Sequence, residues 1–130
     1  MTLTRTQVQH WLNAYIEAWH SYDRDQIAAL YSEDSVTYYT PYAEPVVGRD
    51  AIIESWLEDA DPPGTWEATY WPDLIEGNRA VTRGRTVYFV LGSPGEVRAE
   101  FDNVFLLTFN DAGEVTEFRE WYFRKPAAQE

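Results

Sequence analysis

Cysteine is absent from the 130 residues of this chain, which excludes a disulfide framework, a thiol nucleophile and a thiolate metal site. Histidine is scarce as well, because the sequence contains only His10 and His20. Both flank the apolar stripe of the first predicted helix, and no inward-facing acidic cluster accompanies them, so a site with two histidines and one carboxylate is not expected. We therefore expect neither a metal nor another cofactor.

Basic residues are also few, since 10 lysines and arginines stand against 22 aspartates and glutamates, for a formal net charge of -12. Binding to nucleic acid phosphates would work against this negative field. The chain has no run of roughly 20 apolar residues, which a membrane span requires, and residues 1–6 lack the pattern of a secretory signal. These absences predict a cytoplasmic protein that binds neither nucleic acid nor membranes.

The sequence is rich in core-forming residues, with 45% hydrophobic and 16% aromatic content. At this length the composition is typical of one compact domain with its own core. We expect a single domain over residues 1–130, in which about 5–124 form the core and 125–130 form a tail.

Helical spacing marks the beginning of the chain. Thr4 and Gln7 can form a capping box, and the apolar residues that follow share one helix face: Val8, Trp11, Leu12, Tyr15, Ile16 and Trp19. This pattern predicts a helix over residues 5–20. A short second helix is predicted by the spacing of Ile27, Leu30 and Tyr31.

Strand patterns dominate the rest of the chain. One strand is predicted at residues 36–40, before a third helix that begins at Arg49 and ends near Asp61. Four further strands, joined by glycine-containing turns, are predicted at residues 65–76, 80–91, 97–109 and 114–124. The order predicts an α+β fold, with helices covering one face of a mostly antiparallel sheet.

The last predicted strand carries the most informative residue of the sequence. Phe118, Glu120 and Tyr122 alternate along it and therefore share one face. If the two aromatic residues face inward, the carboxylate lies between them, and burial raises the pKa of a carboxyl group into the range of a usable acid or base. Glu120 is therefore either a proton-transfer group or a structural hydrogen-bonding residue.

Neighbouring strands supply further cavity candidates. Asn103, Phe105 and Leu107 share one face of their strand, and Asn103 could donate to a developing oxyanion or satisfy a neighbouring side chain. On the strand before it, the small residues Thr82, Gly84 and Thr86 alternate with Arg83 and Arg85. We expect the small residues to face the cavity and the arginines to face outward.

The sequence resembles the SnoaL-like branch of the nuclear transport factor 2 superfamily. The resemblance rests on the element order and on five segments: Trp11 to Trp19, Glu33 to Val36, Pro45 to Ile52, Phe101 to Phe105 and Phe109 to Val115. It implies a strongly curved sheet folded round a long helix into a cone, an apolar cavity open at one end, and a homodimer formed through the outer sheet face. The superfamily includes isomerases, cyclases, hydrolases and proteins without chemistry, so the fold alone does not name an activity.

The resemblance also permits a residue-by-residue comparison with known activities. On the ketosteroid isomerase pattern, the oxyanion tyrosine falls on Tyr15, but the two acids fall near Thr40 and near Phe105, where no acid stands, and we therefore reject that chemistry here. The acid pair of the epoxide hydrolase pattern has no convincing placement. The polyketide cyclase pattern implies an acid on the last strand, where Glu120 stands before Trp121 although the pattern would place the acid after the tryptophan.

Together these observations predict a pocket for a small apolar molecule. One hypothesis is a cofactor-independent enzyme of the cyclase or isomerase type acting on an apolar carbonyl compound, with Glu120, Tyr15 and Asn103 as its catalytic residues. The alternative is a non-catalytic ligand-binding or dimerisation module. The residues expected to line the pocket are Trp19, Tyr38, Thr40, Trp56, Gly84, Phe105, Leu107, Phe118 and Tyr122.

Overall fold

The computed structural model describes residues 2–127, which form three helices and one six-stranded sheet. The helices are α1 (Arg5–Ser21), α2 (Arg24–Ala28) and α3 (Arg49–Glu58). The strands are β1 (Tyr31–Tyr38), β2 (Val46–Val47), β3 (Trp66–Glu76), β4 (Arg79–Phe89), β5 (Val97–Phe109) and β6 (Val115–Arg124). The predicted α+β class with its N-terminal helix is confirmed.

Helix α1 begins with the predicted capping box. The side-chain oxygen of Thr4 accepts from the Gln7 backbone N–H at 3.1 Å, and the Gln7 side chain accepts from the Thr4 N–H at 2.8 Å. At the other end, Tyr22 adopts a left-handed conformation with φ 50°, and its N–H donates to the Ala18 carbonyl at 2.8 Å. At each end of α1, some backbone groups that lack a partner inside the helix therefore form a capping hydrogen bond. These caps define where α1 begins and ends.

The sheet has the strand order β2-β1-β6-β5-β4-β3. Strands β3 to β6 form an antiparallel meander, whereas β1 pairs with β6 in parallel. The strand that carries Glu120 thus has a hydrogen-bonded neighbour on each side. Glu120 therefore lies on an interior strand of the sheet and not on an edge strand.

Three details of the predicted elements are wrong. Tyr31 begins β1 instead of ending the second helix, because it pairs with Val115 of β6. Strand β1 consequently begins earlier than residue 36 and ends at Tyr38, and the two-residue strand β2 beside it was not predicted. Of the predicted tail, residues 125–127 have no regular structure and residues 128–130 lie outside the described part of the chain.

Aromatic side chains beneath α1 form the core. The Trp11 indole N–H donates to the Leu30 carbonyl at 3.0 Å, and its ring lies edge-on to Tyr31 and Phe109, with ring centroids 6.1 and 6.0 Å away. Phe105 and Phe118 are each 1% exposed and pack against each other with centroids 4.8 Å apart. Because Phe118 contacts both Trp11 and Tyr15, this packing fills the inner face beneath the middle of α1.

No helix within residues 2–127 has the length and apolar character needed to cross a lipid bilayer.

Candidate functional site

Four polar side chains form a diagonal row across the inner face of the sheet. Tyr70 on β3, Thr86 on β4, Asn103 on β5 and Glu120 on β6 are linked in this order by hydrogen bonds of 2.8, 2.8 and 2.9 Å. Each member lies two residues off the register position opposite its neighbour, which is the diagonal contact that long side chains make in antiparallel sheets. We call these four residues the polar row.

The hydrogen bonds of the polar row have one direction. The Thr86 hydroxyl donates to Asn103 Oδ1, so its single proton is used and the Tyr70 hydroxyl must donate to Thr86. Asn103 Nδ2 in turn donates to Glu120 Oε2. Because every donor points toward β6, the Glu120 carboxyl group is the terminal acceptor of the row.

Glu120 is held in an environment that favours its neutral form. Burial raises the pKa of its carboxyl group from 4.5 to about 7, and the hydrogen bond from Asn103 opposes this shift in part. Within residues 2–127 Glu120 forms no ion pair with a lysine, arginine or histidine. A carboxyl group of this kind exists in both protonation states near neutral pH, as a general acid or base requires.

Tyrosines surround the carboxyl group of Glu120. Burial raises the pKa of Tyr15, Tyr39 and Tyr70 above the usual 10.0, and the charge of Glu120 adds to the increase in each case. Burial likewise raises the pKa of Tyr88 to about 12. These phenols therefore stay protonated near neutral pH and are hydrogen-bond donors.

Tyr15 differs from the other members of this group. Its hydroxyl forms no hydrogen bond with any residue from 2 to 127, whereas that of Tyr70 is bound to Thr86 and that of Tyr39 to Ser55 at 2.6 Å. Its ring stacks on Phe118 with centroids 5.9 Å apart, which fixes the direction of the side chain. Tyr15 lines a pocket, and its hydroxyl keeps a hydrogen bond in reserve for a ligand.

Two neighbouring pockets lie beside these groups, and we call them the carboxyl branch and the aromatic branch. The carboxyl branch, of about 460 Å³, contains Glu120 and is lined by Tyr39, Asp61, Thr86, Tyr88, Arg98, Phe101, Asn103, Glu120 and Tyr122. The aromatic branch, of about 260 Å³, is lined by Tyr15, Trp19, Tyr22, Tyr39, Ser55, Trp56, Asp59 and Asp61. Tyr39 and Asp61 line both branches, so the two are adjacent. Together they have the size of a site for a small organic molecule.

Comparison with known proteins identifies the family. The sequence profile of the SnoaL-like domain matches residues 12–118, which is most of the chain. The chain belongs to the SnoaL-like domain family. No curated protein sequence matches it.

Solved structures share the fold of this SnoaL-like domain at low sequence identity. A proposed ketosteroid isomerase from Kribbella flavida DSM 17836 is 21% identical, with a TM-score of 0.65 over 97% of this chain and 82% of that one. A protein of unknown function with a cystatin-like fold from Methylobium petroleophilum PM1 is 17% identical, with a TM-score of 0.68 over 99% and 83%. An NTF-2-like protein of unknown function from Burkholderia xenovorans LB400 is 20% identical, with a TM-score of 0.67 over 94% and 89%. These likenesses show the fold and leave the activity open.

The structure places the three predicted catalytic residues in two neighbouring pockets that share Tyr39 and Asp61. Glu120 and Asn103 line the carboxyl branch, and Tyr15 lines the aromatic branch. Among the residues predicted to line the pocket, Trp19 and Trp56 lie in the aromatic branch and Tyr122 in the carboxyl branch. By contrast, Phe105, Leu107 and Phe118 are fully buried in the core of this SnoaL-like domain.

Gly84 has an indirect role. The Tyr70 ring crosses directly over it, and a Cβ atom at position 84 would overlap that ring and the Thr69 carbonyl oxygen. The glycine therefore makes room for the first member of the polar row.

Two further residues predicted to line the pocket, Tyr38 and Thr40, lie in neither branch. Tyr38 lies on the outer face, where the Arg119 guanidinium stands 4.0 Å from the centre of its ring, because β1 turns the buried Thr37 inward. The next inward residue is Tyr39, which lines both branches of the cavity. Thr40 lies beyond the end of β1, in a turn closed by a hydrogen bond from the Ala43 N–H to its carbonyl.

Sequence reasoning missed Tyr39, Asp61, Tyr70 and Tyr88 as cavity or row residues. Alternation along β3 could have placed Tyr70 inward, since Trp66 and Tyr70 share the buried face. Asp61 follows α3 in a loop, where no periodic pattern reports the direction of a side chain.

Within residues 2–127, no group of three or more His, Asp or Glu side chains is arranged to hold a metal ion.

Proposed function

We propose that this SnoaL-like domain is a cofactor-independent enzyme of the cyclase or isomerase type, which moves a proton on a small apolar carbonyl compound. The observation that carries the proposal is the Glu120 carboxyl group, whose pKa is raised to about 7 by burial beside an open cavity. A carboxylate with a pKa near the working pH is a stronger base than an exposed one and remains partly ionised.

Glu120 is the proton acceptor in this mechanism. Asn103 holds Oε2 of Glu120, so Oε1 is the oxygen left to take a proton from a ligand in the carboxyl branch. The α-carbon of the carbonyl compound loses its proton to the carboxylate, and the electron pair of the broken C–H bond moves to form an enolate. Glu120 then carries the proton and returns it to another carbon or oxygen, which regenerates the carboxylate.

Tyr15 and Asn103 support the negative charge that develops on the carbonyl oxygen. The Tyr15 hydroxyl keeps its proton because burial raises its pKa well above 10.0. Within residues 2–127 this hydroxyl has no hydrogen-bond partner. It is therefore a preorganised donor for the enolate oxygen. Asn103 uses one amide N–H for Glu120, and its second N–H is the other donor on this side of the cavity.

The proposal predicts that Glu120→Gln abolishes α-proton exchange. The probe is 2-tetralone, an apolar ketone with acidic α-protons, incubated with the protein in D₂O while proton NMR follows the loss of the α-proton signal. We expect the wild-type protein to accelerate exchange, and Glu120→Gln to lower the protein-dependent rate by a factor of about 10² or more. Glutamine keeps the shape and the acceptor for Asn103 but accepts no proton.

Glu117→Gln is the matched control. It makes the same substitution on the same strand, but Glu117 faces outward and pairs with Arg119 at 3.3 Å. Its exchange rate should equal that of the wild-type protein. Equal rates for wild type and Glu120→Gln would contradict the proposal and favour the alternative of a non-catalytic ligand-binding module.

The pH dependence of exchange is a second prediction. The ionised form of Glu120 is the base, and burial places its pKa at about 7. The protein-dependent rate, after subtraction of the Glu120→Gln rate at each pH, should level off above about pH 8 and fall about tenfold per unit below pH 6. A midpoint near 4.5, the ordinary carboxyl value, would show that Glu120 is well solvated and would contradict the raised pKa on which the proposal depends.

A further inference from the structure

Aromatic side chains form most of the lining of the aromatic branch. The Trp56 ring stands at 77° to the Tyr15 ring with centroids 5.1 Å apart, and the Trp19 ring stands at 71° with centroids 6.4 Å apart. Tyr22 and Tyr39 complete the aromatic lining. One face of the Trp19 ring is covered by Trp66, with ring centroids 3.5 Å apart. The Tyr15 ring stacks on Phe118, so only the remaining ring faces are open to a ligand. The face of an aromatic ring attracts a cation.

The same branch carries negative charge without a compensating cation. Asp59 and Asp61 line it, and neither forms an ion pair with any residue from 2 to 127. No lysine, arginine or histidine of the described chain lines this branch; Arg98 lines the carboxyl branch, where its guanidinium lies 5.2 Å from the centre of the Tyr88 ring. The formal net charge of -12 adds a field that attracts cations to the opening.

Asp61 is fixed in place at the junction of the two branches. The Trp19 indole N–H donates to Asp61 Oδ2 at 3.0 Å, and the Asp61 backbone N–H donates to the Tyr22 hydroxyl at 2.8 Å. These contacts hold the carboxylate and one aromatic wall together, while Oδ1 of Asp61 has no hydrogen-bond partner within residues 2–127. A preorganised carboxylate beside aromatic faces loses little entropy when a ligand binds.

We propose that the aromatic branch is a binding site for a substituted ammonium group. The apolar substituents of such a group contact the faces of Tyr15, Trp19 and Trp56, and its positive charge lies near Asp61. A volume of about 260 Å³ admits the head group and one or two connecting carbons. The inference concerns binding and does not depend on proton transfer by Glu120.

Choline and 3,3-dimethyl-1-butanol test the proposal as a matched pair of probes. The alcohol has the shape of choline with a carbon atom in place of the charged nitrogen, so it measures apolar contact alone. We expect choline to bind about tenfold or more tightly in isothermal titration calorimetry, with an affinity that falls as salt is added. Equal affinity for the two probes, or no saturable binding of choline, would overturn the proposal.

Asp61→Asn locates the binding site. Asparagine still accepts the hydrogen bond from Trp19 but has no charge, so the affinity for choline should fall about fivefold to tenfold while the affinity for the alcohol stays unchanged. Glu67→Gln removes one negative charge from the exposed, outer side of β3 and should leave choline binding unchanged. A decrease of the same size in both variants would show that the net charge alone attracts choline, which would contradict the proposed site.

Two further measurements separate this site from the proposed catalysis and from unfolding. Glu120→Gln should keep the preference for choline over the alcohol even where it abolishes exchange of 2-tetralone. The melting temperature of Asp61→Asn, followed by circular dichroism, checks that the variant is folded. If Asp61→Asn does not fold, Trp56→Phe replaces it, because a phenyl face binds cations less strongly than an indole face and should weaken choline binding about twofold to fivefold.

Discussion

Gly84→Ala should destabilise the protein by about 3 kcal/mol or more, which is a large part of the stability of a domain of this size. The added Cβ atom would overlap the Tyr70 ring and the Thr69 carbonyl oxygen. The ring could rotate away only by breaking its hydrogen bond to Thr86, and the carbonyl oxygen belongs to the backbone of β3, which pairs with β4. Urea unfolding measures the loss of stability. A variant too unstable to purify would also agree with the prediction.

Gly64→Ala is the control for this prediction. Gly64 has a positive φ of 76° and no atom within 4 Å of an added Cβ, so its substitution tests backbone strain without overlap. We expect a loss of about 1 kcal/mol. If Gly84→Ala cost no more than Gly64→Ala, the close approach of Tyr70 to the backbone of β4 would be wrong.

Glu120→Gln should stabilise the protein at alkaline pH. The folded state keeps the Glu120 proton up to a pKa of about 7, whereas the unfolded chain releases it near 4.5. Between these values the folded state binds more protons, so the free energy of unfolding falls as pH rises and stays low above pH 7. Glutamine has no proton to lose and avoids this cost, which we place at about 3 kcal/mol at pH 8.

The test compares urea unfolding of the two proteins at two pH values, because the other acidic residues then cancel in the difference. The advantage of Glu120→Gln should grow by about 2 kcal/mol from about pH 5.5 to about pH 8. Glu117→Gln, on the outer face, should change stability by less than about 1 kcal/mol. A constant difference between Glu120→Gln and wild type at both pH values would mean that the Glu120 carboxyl group is well solvated.

Side-chain alternation predicted the inner face of three strands correctly. Phe118 is buried on β6 beside Glu120, Asn103 is buried on β5, and Thr82 and Thr86 are buried on β4. These strands are long, so alternation separates their two faces: apolar residues mark the inner face of β5 and β6, and small residues between arginines mark that of β4. The first helix was predictable for a similar reason, since its capping box and apolar stripe agree.

Other features depended on contacts between distant parts of the chain. Tyr31 fits helical spacing with Ile27 and Leu30, and only its pairing with β6 makes it a strand residue. Tyr38 and Tyr39 are adjacent residues of the same type, so the sequence alone does not decide which of them faces the cavity. The parallel pairing of β1 with β6 has no local pattern, because it joins strands that are far apart in sequence.

The position of β6 between β1 and β5 has a consequence for synthesis of the protein. Both flanking strands leave the ribosome before β6, and until it arrives each has an open edge of unpaired peptide groups. Insertion of β6 closes both edges and, in the same step, delivers Glu120 to its hydrogen-bond donor. A nascent chain that stops before residue 115 therefore exposes two strand edges with unpaired peptide groups. Chaperones shield surfaces of this kind.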